Sequence, residues 1–185
     1  MSKVLIICAH PDDEILGCGG TLEMHKAIGD EVSLCIGDGG RNDPIDQRFE
    51  TLPITHWIGK VEDVVSFGKP DIVYTHCSSD INRDHRIINE AVMVATRHSS
   101  VKELYAFDVT SDWGFGQFGR FSPNVFVDIT EYIDKKIKAM KTYREEIRLF
   151  PHYRSEEKIR ALALRWGSAI DVPYAEVFEV IKIIR

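Results

Sequence analysis

Five consecutive positions, His10-Pro11-Asp12-Asp13-Glu14, place one imidazole and three carboxylates side by side. Groups of these types bind divalent ions and move protons. Two adjacent aspartates repel each other, and a bound cation would relieve this while using one of them as a ligand. A plain helix N-terminus also favours acidic residues, because they complement the helix dipole. That alternative accounts for Glu14 as well as catalysis does, but it does not account for the whole string. A second polar stretch, Cys77-Ser78-Ser79-Asp80-Ile81-Asn82-Arg83-Asp84-His85-Arg86, supplies another histidine and further carboxylates. Of the remaining histidines, His25, His56 and His98 fit helix surface or core, and His76 ends a strand where a pocket residue would sit.

These groups need elements to hold them. Val4 to Ala9 is a short apolar run without charge, which predicts a central strand covered on both faces of a parallel sheet. The ends of such strands open on a ligand crevice. A helix is expected over 21–28, closed by Gly29-Asp30, and a second strand over 31–36. Gly17, Gly19 and Gly20 allow close backbone approach, although their spacing is not that of a phosphate-binding loop. The loop from Gly37 to Pro44 should border the same crevice, with Arg41 as a hydroxyl or phosphate contact or simply a solvated side chain. Further expectations are a helix over 54–67, a strand over 69–76, a helix over 84–98, and strands over 102–107 and 124–129. Residues 132–149, 155–170 and 174–184 are expected as helices. The glycine- and aromatic-rich stretch 108–123 is long enough to suggest a functional loop, with Trp113, Phe115 and Phe118 as a stacking wall or as loop packing.

A strand followed by HPDDE and then GCGGTL resembles the LmbE/PIG-L family of zinc-dependent N-acetylglucosamine-type deacetylases, and the resemblance covers most of the chain. It implies an α/β fold, Rossmann-like and three-layered (α/β/α), with a mostly parallel sheet, a single domain over 1–185 and a site at the C-terminal ends of the strands. It also implies Zn2+ as cofactor, held by His10, Asp13 and His85, with Asp12 as the general base that takes the proton of the attacking water. Asn82, Asp84 and His152 are carried over as supporting residues, orienting ligands or stabilising the oxyanion. Arg154, in the element that resembles the family's C-terminal motif, is expected as a substrate contact, beside Arg41 and Trp113, for which the loops themselves suggest that role. The chain departs from the family in three places. Asn82 stands where many members have a histidine, and can donate a hydrogen bond but cannot carry charge. The segment after Gly40 is short, and Tyr153 takes the proline position of a C-terminal His-Pro-Arg-Ser element.

Composition narrows the classes. The chain has 185 residues, 44% of them hydrophobic, which suits one domain with a sizeable core. A net charge of −6 gives no broad basic field, so nucleic acid is not an expected partner. The N-terminal apolar run is too short for a signal peptide or a membrane span, so a cytoplasmic protein without membrane contact is expected. Cys8, Cys18, Cys35 and Cys77 lack CxxC spacing and are read as reduced. The expected activity is hydrolysis of an N-acetyl or other N-acyl amide on a small aminosugar-containing molecule or glycan precursor. The alternatives are a metal-binding scaffold that has lost turnover and a metal-dependent phosphoesterase. Apolar helix faces and an incomplete sheet leave room for a homo-oligomer.

Overall fold

A computed structural model describes residues 1–37, 49–109 and 118–185. In chain order it runs β1 (Lys3–Cys8), α1 (Asp13–Ala27), β2 (Glu31–Ile36), α2 (Ile54–Gly68), β3 (Ile72–His76) and α3 (Arg83–Thr96). There follow β4 (Glu103–Phe107), β5 (Val125–Asp128), α4 (Ile133–Met140), α5 (Glu156–Gly167) and β6 (Ala175–Ile183). The six strands form one sheet in the order β2-β1-β3-β4-β6-β5. β1 to β4 are parallel neighbours, and β6 runs antiparallel to both β4 and β5. This is the mostly parallel, Rossmann-like sheet expected from the sequence.

Alternation along β1 shows how the layers form. Val4, Ile6 and Cys8 pack into one core with Leu16, Leu22 and Ile137, while Leu5, Ile7 and Ala9 pack into the other with Trp57, Val61, Ile88 and Val92. Successive strand residues point to opposite faces, so an unbroken apolar strand serves two helix layers at once. α1 and α4 therefore cover one face, and α2 and α3 the other. The glycines of α1 answer to this packing. A Cβ at Gly17 would lie 2.3 Å from the Phe107 ring, and one at Gly20 would lie 2.8 Å from Ile129. They let the helix lie close on the sheet.

Three expected elements differ. Residues 174–184 form β6 and not a helix, because Val177, Val180, Ile181 and Ile183 are β-branched and the strand is completed by partners on both sides. The helix expected over 132–149 stops at Met140, after which the chain turns back over the His10–Glu14 loop. α1 begins at Asp13 and not near Thr21, so the acidic string is itself the helix entry. Among the described residues no helix is long and apolar enough to cross a membrane.

Candidate metal centre and active site

Parallel strands β1 and β3 carry the two polar stretches to neighbouring strand ends. His10 leaves β1, and Asp13 opens α1 with its carboxylate turned back to accept the His10 backbone N–H at 2.8 Å. His85 sits in the first turn of α3, whose N-cap is Asn82. Three donor atoms from these elements converge. His10 Nδ1 is 3.5 Å from Asp13 Oδ2, His85 Nε2 is 3.4 Å from the same oxygen, and the two ring nitrogens are 3.3 Å apart.

Each histidine has its other nitrogen engaged. Asp80 Oδ2 lies 2.7 Å from His85 Nδ1, and Asp84 Oδ2 lies 3.1 Å from His10 Nε2. A carboxylate on the far nitrogen fixes the tautomer and leaves the near nitrogen with a lone pair. Two lone pairs and a carboxylate oxygen thus face one point. The donor set suits zinc, and the separations match the edge of a tetrahedron around an ion with bonds of about 2.1 Å, which is about 3.4 Å. Burial alone would raise the Asp13 carboxyl, but His10 and His76, and then His85, beside it hold it far below the usual carboxylate range. It is a ready anionic ligand.

Asp12 is also almost fully buried, yet it does not join the three donors. Its Oδ2 has no hydrogen-bond partner and lies 3.4 Å from Arg154 Nη1. Burial, aided by Asp13 and Glu146 and opposed by Arg154, pushes its carboxyl up to about 7. A carboxyl poised there can take and return a proton near neutral pH. Its backbone has φ 92°, a left-handed conformation uncommon for a residue with a Cβ. Glu14 braces it, accepting the Asp12 N–H at 3.1 Å with one oxygen and the Tyr143 hydroxyl at 2.6 Å with the other.

The other expected residues fall as follows. Asn82 accepts the Asp84 N–H with Oδ1 and sets Nδ2 3.1 Å from His85 Nε2, so its amide faces the centre. Arg154 reaches Asp12 and is held by the Glu146 carboxylate. His152 is exposed, with Nδ1 accepting the Arg154 N–H. Arg41 and Trp113 lie outside the described residues, as do Phe115 and most of the loop after Gly37. Phe118 is half-exposed beneath the Arg86 guanidinium.

Four contributors were given no role, or a small one, by the sequence. Asp80 is the carboxylate on His85, and the only hint in the sequence is a second acid, besides Asp84, in the loop after β3. His76 is fully buried, stacks on His85 with ring centroids 4.0 Å apart, and accepts the Ala9 N–H. Burial and the neighbouring His85 lower it to about 4, so it stays neutral. Glu14 and Tyr143 complete the set. Their contact joins residues 129 apart, which no local pattern announces.

Known proteins bear on this arrangement. Residues 5–51 match the PIG-L family, described as GlcNAc-PI de-N-acetylase. A protein of Escherichia coli (strain K12), the uncharacterized deacetylase YaiS, is 27% identical over 173 residues, covering 76% of this chain and 90% of that protein. The N,N'-diacetylchitobiose deacetylase of Pyrococcus horikoshii, solved with an inhibitor, superposes with a TM-score of 0.75 at 20% identity over 97% of this chain and 84% of that one. GalB of Pseudomonas putida KT2440, a 4-carboxy-2-hydroxymuconate hydratase, superposes with a TM-score of 0.74 at 17% identity over all of this chain and 98% of that one. Likeness at that identity shows a shared fold, and a shared fold leaves the reaction to the site. The acidic loop lies inside the segment that matches the PIG-L family, and the chain over its whole length shares its fold with these solved structures.

Proposed function

We propose that the chain is a zinc-dependent N-deacetylase that hydrolyses the acetyl amide of a small aminosugar-containing molecule. The observation that carries this is the convergence of His10 Nδ1, Asp13 Oδ2 and His85 Nε2, all 3.3–3.5 Å apart, next to a separate buried carboxylate, Asp12. Bound there, the ion would act as a Lewis acid toward the amide carbonyl and make an attacking water more acidic. Asp12 takes the proton of that water and returns it to the departing amine nitrogen. Arg154, with Nη1 3.4 Å from Asp12 Oδ2, keeps the Asp12 carboxylate in place. The Asn82 amide offers a hydrogen bond to charge developing on the carbonyl oxygen, in the place where many family members have a histidine.

The relatives support the substrate class, since one acts on diacetylchitobiose and the matched family is named for an N-acetylglucosamine-bearing lipid. Placement in the cytoplasm is supported by four cysteines that are all free thiols. The test is amine release from a panel of N-acetylglucosamine derivatives by zinc-loaded wild type and Asp12→Asn at equal metal occupancy. The expected result is a loss of about 10²–10⁴-fold in the variant with zinc retained. One zinc per chain with no amine released from any member would point to the retired scaffold. Turnover of phosphate esters instead would point to phosphoesterase chemistry.

A further inference from the structure

α1 is not one continuous helix. Cys18 has φ −145° and ψ 22°, which breaks the spiral between the turn carrying Asp13 and Glu14 and the long remainder. In an unbroken helix the Leu16 carbonyl and the Gly20 N–H would bond each other. Here a buried ion pair from two other elements stands in that gap. Lys136 of α4 donates to the Leu16 carbonyl at 2.8 Å and to Glu176 Oε1 at 2.6 Å. Glu176 of β6 accepts the Gly20 N–H at 2.9 Å on the same oxygen, and the Thr21 N–H and hydroxyl at 2.7 and 2.6 Å on the other. Both residues are only 4% exposed.

We infer that Lys136 and Glu176 are positioning residues for the metal centre, acting through the first turn of α1. A single helical turn does not hold its own conformation. The turn Asp13–Gly17 is therefore aimed by what grips its ends: at one end the His10 N–H on Asp13, at the other the Lys136 ammonium on Leu16. An apolar pair could fill the same volume, and buried pairs are often replaced that way without loss of stability. It could not bond the Leu16 carbonyl or the Gly20 and Thr21 N–H groups. The pair converts a helix break into a fixed angle, and that angle sets where the Asp13 carboxylate stands relative to His10 and His85. The residues responsible lie 123 and 163 positions beyond Asp13, well outside the segment that matches the family.

This rests on the zinc assignment above, so its test reads metal binding and not turnover. Wild type, Glu176→Gln and the milder Thr21→Val are stripped of metal and titrated with Co2+ and, by chelator competition, with Zn2+. All are kept well below their melting temperatures, with folding checked by far-ultraviolet circular dichroism. The expected result is about tenfold weaker zinc binding and a changed cobalt absorption band in Glu176→Gln, with a smaller shift of the same sign in Thr21→Val. Should Glu176→Gln fail to fold, Thr21→Val alone decides. Folded variants with the wild-type band and wild-type affinity would overturn the inference. Wild type that binds neither metal would bring down the zinc assignment and this inference with it, whereas inactivity toward every aminosugar would leave both the binding data and this inference standing.

Discussion

Histidine–carboxylate pairs in two regions of this molecule look alike in isolation and do opposite things. At the ends of β1 and β3, His10 and His85 are each held by a carboxylate on one nitrogen, and their other nitrogens face Asp13 and each other. In the other pair, buried His25 has Asp30 on Nδ1 at 2.8 Å, but its Nε2 meets the Tyr74 hydroxyl at 3.1 Å. The second arrangement is closed, because every polar atom of the ring has a partner and nothing is left over for a ligand. The first is open, because two lone pairs and a carboxylate point at one another. What makes a histidine–carboxylate pair a site is where the free nitrogen points, and pairing alone says little.

The contrast can be broken most sharply at the convergent donors. His85→Ala or Asp13→Ala is expected to reduce zinc from one per chain to near none after dialysis, measured by elemental analysis, and to bring amine release to background. A smaller loss is expected at the carboxylates behind the rings. Asp80→Asn should weaken zinc binding about 10–100-fold by chelator competition, and Asp84→Asn less, since Asp84 is a quarter exposed and Asp80 is buried. At the closed pair the effect should appear only in folding. Tyr74→Phe removes one buried hydrogen bond and should cost about 1 kcal/mol in urea denaturation, with zinc affinity unchanged. The smallest effect is in acid. The Ser2 N–H, and then His25, hold the Asp30 carboxyl below its usual range. Its contribution to stability is present above the unfolded value and is lost as pH falls through the folded one. In His25→Gln the pH dependence of unfolding below about pH 4 should flatten slightly.

What could be read from the sequence was contiguous in it. His10, Asp12 and Asp13 sit in one string at the end of one apolar strand, and a strand end followed by a helix start announced His85. The parallel sheet was legible for the same reason, as each strand and its following loop form a local signal. The braces were not. Asp80 pairs with His85 through the path of a loop, and Tyr143 and Lys136 come from α4 and its turn, more than 100 residues after the groups they touch. The charged and apolar residues of β6 interleave in both a helical and a strand period, and only its two neighbours in the sheet decide between them. A strand-end histidine such as His76 gives no sign in sequence of its full burial against His85.

The left-handed backbone at Asp12 bears on how that residue should be replaced. Asparagine tolerates such a conformation better than most residues, because its short polar side chain can bond locally. Alanine lacks that relief, and a non-glycine residue held there costs on the order of 1–3 kcal/mol. Asp12→Ala would therefore remove a carboxylate and also loosen the bend that seats Asp13, mixing lost proton transfer with a displaced metal ligand. Asp12→Asn separates the two, and Asp12→Gly, which frees the bend while deleting the side chain, would report the displacement by its effect on metal affinity.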